Sequence, residues 1–114
     1  MESEPMNLFA NPLHKSSLNR SFTDIELKFI KNQLGDPVRA ISNHSSRNKN
    51  VLNADEMQDI RSALEKSLAD YFKRVFNTAN KVVLEITQSW LTVTRQGESH
   101  HSHIHPNSIA SGVL

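Results

Sequence analysis

From Met57 onward, apolar residues recur at three- and four-residue steps: Met57, Ile60, Leu64, Leu68, Tyr71, Phe72 and Val75, with Asp, Arg, Glu and Lys between them. That period belongs to a helix with one apolar stripe, predicted over Asp55 to Phe76. After "NTAN" at 77–80 the period changes. In "KVVLEITQSWLTVTRQG", Val82, Leu84 and Ile86 alternate with Val83, Glu85 and Thr87 in a run rich in β-branched residues, as extended strands are. A stripe of this kind needs a sheet to cover it, so the switch of period points to an α+β chain.

A shorter helix precedes. Thr23 with Glu26 three residues on has the capping-box pattern, and Phe22 is placed to staple against Leu27. Ile25, Leu27, Phe29, Ile30 and Leu34 give an apolar face. Gly35 stands where a left-handed C-cap would, and Asp36-Pro37 opposes continuation. For the longer helix Asn53 is the expected N-cap, with Glu56 three residues later. Residues 1–20, with Pro5 and Pro12, carry no sustained period and read as an extended lead-in. The polar stretch "RAISNHSSRNKN" (39–50) reads as a mobile surface loop, and its His44 is given no role. Strands are expected over the alternating run with a bulge near Gln88-Ser89, over Trp90 to Thr94, and again from Ile109. Since 114 residues suit one domain, the expected division is a lead-in (1–20), a helical part (21–77) and strands (78–114).

Composition removes several classes of function. The net charge is +1 and the lysines are dispersed, so nucleic-acid binding is not indicated. The best apolar run, Val82-Val83-Leu84, is broken by Glu85, and no membrane span is expected. "MESEPMNLF" lacks the charged-then-apolar pattern of an export signal. With no cysteine there is no disulfide, thiolate metal site or cysteine nucleophile, and a cytoplasmic setting is expected. Gly35, Gly97 and Gly112 are too far apart for a phosphate loop. No nucleophile elbow surrounds Ser89, Ser99 or Ser102.

Chemistry concentrates in "RQGESHHSHIHPNSIASGVL", which holds four of the six histidines: His100, His101, His103 and His105. On extended backbone His101, His103 and His105 project to one face and His100 to the other. Two imidazoles spaced this way can chelate one ion, and nitrogen donors suit iron, zinc, copper or nickel. A histidine-rich surface patch or purification remnant would bind metals adventitiously from the same spacing. The interruptions at Ser102 and Ile104 do not look like an engineered tag.

Trp90, Gly97, His103-Ile104-His105-Pro106, Asn107-Ser108 and Ser111-Gly112-Val113 follow one another in an order that resembles the 2-oxoglutarate/Fe(II)-dependent oxygenase family common in marine bacteria and phages. The opening "MNLFANPLHKS" is similar to that family's start, an apolar-Phe-x-x-Pro segment. The resemblance covers nearly the whole chain, thinly in the helices and densely over the last 25 residues or so. It implies a double-stranded β-helix, a cupin-like jelly-roll with the helices packed outside one sheet. It also implies Fe(II) as the metal, 2-oxoglutarate as small-molecule cosubstrate, and dioxygen as oxidant. The implied reaction is oxidation, usually hydroxylation, of a further substrate.

On this resemblance His103 and His105 are the metal ligands, and His101 is an outer or alternative ligand. Ser111-Gly112 would shape the barrel wall beside the metal. Better-known members of the superfamily carry H-x-D, so His105 stands where a carboxylate is usual, and Glu98 is the nearest acid in sequence. The family's distal histidine and basic 2-oxoglutarate anchor have no counterpart before Leu114, so the chain is expected to be the N-terminal part of a longer enzyme, its barrel truncated and inactive alone. Two other readings stay open: a non-catalytic jelly-roll module, and a cupin-like metalloenzyme that does not use 2-oxoglutarate.

Overall fold

The computed structural model describes residues 1–6, 11–77 and 82–114 of the chain. The first helix, α1, spans Asp24–Gln33. Its capping box forms as the spacing predicts. Thr23 Oγ1 accepts from the Glu26 N–H at 3.2 Å, and the Glu26 carboxylate accepts from the Thr23 N–H at 2.8 Å. Glu26 is only 2% exposed, which an unpaired carboxylate could not sustain. Arg20 pairs with it in a two-pronged contact, 2.9 Å to Oε2 and 2.6 Å to Oε1, the strong geometry for such pairs. The expected staple leaves Phe22 and Leu27 both exposed. Gly35 is not left-handed. Its lack of a side chain serves proximity instead, since a Cβ there would lie 3.2 Å from the Asn32 carbonyl oxygen.

The second helix, α2, spans Gln58–Phe76, entered through two short 3-10 turns, Val51–Asn53 and Asp55–Met57. Asn53 does not cap it; its side-chain oxygen accepts from Arg61. Leu52, Met57 and Ile60 form the buried centre, with Phe29 and Ile30 from α1, and Ala54, Leu64 and Ile86, packed against it. Of the apolar stripe read from the sequence, Met57, Ile60 and Leu64 therefore face the core, against Phe29 and Ile30 of α1 and the 3-10 turns; further along, Phe72 is buried outside that cluster and Val75 is exposed. Asn77 ends α2 in the left-handed region at φ 47°, a conformation that a short polar side chain tolerates.

Among the described residues there are three two-residue strands: β1 (Val38–Arg39), β2 (His44–Ser45) and β3 (Thr92–Val93). They form an antiparallel sheet in the order β1-β2-β3. Arg39 faces His44, and His44 faces Val93. Beyond the ladder, Ser46 N–H donates to the Leu91 carbonyl at 2.9 Å, and Asn50 and Ser89 make a parallel bridge.

The jelly-roll expectation is overturned. A double-stranded β-helix needs two facing sheets closed on one another, whereas this sheet is small, three-stranded and open. The alternating run is the reason. Among the described residues, 82–88 form no strand; Leu84 and Ile86 turn half-inward while Val83, Glu85 and Thr87 stay exposed. β-Branched alternation specifies extended backbone, but a ladder also needs a neighbour. Likewise, of Trp90 to Thr94 only Thr92–Val93 pairs, and no strand begins at Ile109. Lys81, the first residue of that run, and Asn7–Ala10, within the family-like opening, lie outside the described residues.

A second correction concerns 39–50. Read as a mobile loop, this stretch supplies the middle strand, and Asn43, Ser45 and Ser46 within it are buried. Hydrogen bonds rather than apolar contacts make that burial tolerable. Ser46 Oγ donates to the Asn48 carbonyl at 2.7 Å and accepts from the Leu91 N–H at 3.0 Å.

Candidate metal centre

The chain leaves β3 and reverses at Arg95–Glu98, where the Glu98 N–H donates to the Arg95 carbonyl at 3.0 Å. Gly97 sits in this turn at φ +82°, a position that a glycine occupies without steric cost. The histidine tract follows directly, and three consecutive residues at the start of β2 hold it. Ser42 Oγ donates to the Ser99 carbonyl at 2.6 Å. Asn43 Nδ2 donates to His100 Nδ1 at 3.0 Å. His44 Nδ1 lies 3.0 Å from Glu98 Oε1, close enough for an ion pair but too poorly aligned for a hydrogen bond.

His103 and His105, the pair singled out by sequence, are brought together. Their Nε2 atoms are 3.0 Å apart. His103 Nδ1 lies 2.9 Å from the His101 carbonyl oxygen. A carbonyl can only accept, so Nδ1 carries the hydrogen, and the Nε2 lone pair of the neutral ring accepts from His105 Nε2–H across that 3.0 Å contact. This backbone anchoring of one ring nitrogen is the arrangement that usually orients a metal-bound histidine. Adjacent vertices of a six-coordinate ion at about 2.1 Å are about 3.0 Å apart, so the pair fits one edge of such a site.

His101 does not join the pair through a ring nitrogen. Its Nδ1 faces Ser42 Oγ at 3.4 Å, and its backbone carbonyl anchors His103. The His100 and His101 rings stack with centroids 5.7 Å apart, and His100 meets His103 edge-on at 5.0 Å. Trp90, also part of the sequence motif, lies beside His105 with ring centroids 5.8 Å apart. Ser111 and Gly112 are exposed, with open space around Gly112, so they shape no wall around the pair.

Glu98 has its oxygens committed elsewhere. Oε2 accepts the Arg95 N–H at 3.0 Å, and Oε1 meets Arg39 at 3.4 Å as well as His44. The Arg95 N–H first, then His44 and Arg39, hold its pKa below the usual carboxylate range. Among the described residues no three His, Asp or Glu side chains converge as a metal-binding group. A groove of about 730 Å³ between α2 and Val82–Ile86 is lined by no histidine. No helix among the described residues is long and apolar enough to cross a membrane.

Sequence reasoning missed Ser42, Asn43 and His44. Their signal would have been a tertiary one, because residues 54 to 57 positions apart in the chain meet here. No family model, curated protein or solved structure matches the chain.

Proposed function

We propose that the chain contributes a two-imidazole iron site, His103 and His105, to a 2-oxoglutarate-dependent dioxygenase that hydroxylates a substrate in the cytoplasm. The observation that carries the reading is the 3.0 Å approach of two Nε2 atoms, with the His103 tautomer set by the His101 carbonyl. The resemblance of the H-x-H-P segment and its surroundings supplies the choice of iron and 2-oxoglutarate. Bound iron supplies the redox chemistry that couples decarboxylation of the cosubstrate to substrate oxidation. The chain's own residues hold and orient: His103 and His105 donate, the His101 carbonyl fixes one ring, and Trp90 flanks the other.

Trp90, the only tryptophan, reports on the site. Anaerobic titration with Fe(II), or with Co(II) as its spectroscopic stand-in, is expected to quench its fluorescence to a one-to-one end point. His103→Ala or His105→Ala forfeits the chelate advantage, on the order of 100-fold in affinity. His14→Ala, which removes a ring lying against Tyr71 and Asp70 of α2, leaves the titration unchanged. Undiminished affinity in the His103→Ala/His105→Ala double variant would end the assignment. Calorimetry with 2-oxoglutarate on the iron-loaded protein tests the cosubstrate. A silent calorimeter with the iron site intact reduces the reading to a metal-binding module that does not use 2-oxoglutarate.

A further inference from the structure

We propose that Asn43 is the positioning residue of the His103–His105 pair and acts through the ring of His100; the inference rests on reading that pair as a metal site. Asn43 is 1% exposed. It stands immediately before β2, and its own carbonyl accepts the Ala40 N–H at 2.8 Å, so its Cα is tied to the sheet. A buried amide is costly unless its polar atoms are used. This one spends its donors on His100 Nδ1 at 3.0 Å and on Thr94 Oγ1 at 3.3 Å.

A donating amide requires a lone pair on His100 Nδ1, which places the ring hydrogen on Nε2. The His100 ring is thereby fixed, and His103 meets it edge-on at 5.0 Å. His103 is then confined by His100, by the His101 carbonyl at Nδ1 and by His105 at Nε2. Removing the amide frees the first of these restraints while leaving both candidate ligands in place. Residues that orient a ligand in this way usually contribute about 10- to 100-fold to metal affinity.

The test uses the 114-residue chain and has two readouts. Long-range proton–nitrogen spectra of the metal-free protein should show His100 as the Nε2–H tautomer. Asn43→Asp replaces the donor with an acceptor, so His100 Nδ1 should gain the hydrogen, a signature that loss of packing alone does not produce. In Co(II) titrations Asn43→Ala should weaken binding about tenfold at unchanged stoichiometry. His100→Ala should match it, and the double variant should be no weaker than either single one.

His100→Ala, at an exposed position, carries the test where Asn43→Ala fails to fold. Wild-type affinity in either single variant, or additive losses in the double, overturns the proposal. If the wild-type chain binds no Co(II), the metal reading fails on its own. The His100 tautomer in Asn43→Asp then decides whether Asn43 sets the ring: an unchanged Nε2–H signal overturns that too.

Discussion

Ile60→Ala is expected to destabilise the protein by about 3–4 kcal/mol, the usual loss for deleting a buried isoleucine side chain whose cavity cannot fully collapse. Among the described residues Ile60 is the one large apolar side chain with no exposed surface, and only Leu52 and Met57 are buried with it in the central cluster. α1, the 3-10 turns, α2 and Ile86 all meet at that point. The radius of gyration, 17.4 Å, exceeds the roughly 13 Å of a compact domain this long, so little other buried surface exists to share the loss. Whole domains are stable by only about 5–15 kcal/mol. Thermal melts followed by circular dichroism should show the midpoint falling by more than about 10 °C. Ile60→Val, which removes one methyl group, should cost about 1 kcal/mol. A melt unmoved by alanine would mean that this cluster does not hold the elements together.

The second large effect depends on pH. Glu26 has its pKa lowered to about 2, first by the Arg20 side chain and further by the Thr23 backbone N–H. Because the folded value lies below the ordinary 4.5, the group's stabilisation is fully present above that ordinary value and disappears as pH falls toward about 2. Glu26→Gln keeps the size of the side chain but removes the charge that Arg20 pairs with. At pH 7 the variant should lose about 2 kcal/mol, a figure reduced from the full linkage value because Arg20 is partly solvated. Measured against wild type, the deficit should be flat from pH 7 to 5, shrink below 4.5 and nearly vanish near pH 2. A deficit that stays constant down to pH 3 would show that the charge is not what matters.

The helices were legible in the chain because their determinants are local. A capping box is four residues long, and the Met57-to-Phe72 stripe declares its period within five turns. The spacing of His103 and His105 is local as well, and their Nε2 atoms do meet, whereas His101, expected on the same face, turns its Nδ1 to Ser42. The sheet was not legible. β2 is built from His44 and Ser45, whose neighbours Asn43 and Ser46 are buried by hydrogen bonding to distant residues. Hydropathy registers such residues as loop, since burial through polar satisfaction leaves no apolar period. Conversely, Val82–Ile86 looks like a strand but forms none among the described residues, because alternation describes one chain and pairing requires two. His44 was dismissed for the same reason as β2: Glu98, its neighbour at 3.0 Å, is remote in sequence.

The pairing of His44 with Val93 also sets the order in which the molecule comes together. It joins two points separated by roughly fifty residues, with all of α2 between them, so the entropy of closing that loop is met only when the chain has already condensed. α1, the 3-10 turns and α2 make contacts within a shorter span and can associate first. The segment that carries the imidazoles is tethered to Ser42, Asn43 and His44, and it has nothing to rest on until β2 meets β3. In a refolding time course probed by pulsed hydrogen exchange, amides of α2 should become protected before Ser46 and Ser99, whose N–H groups donate across that junction. Simultaneous protection of both would mean that the chain closes in one step. The histidine segment is on this account the last part of the chain to be ordered, and a metal ion supplied early in refolding would meet free imidazoles instead of a formed pair.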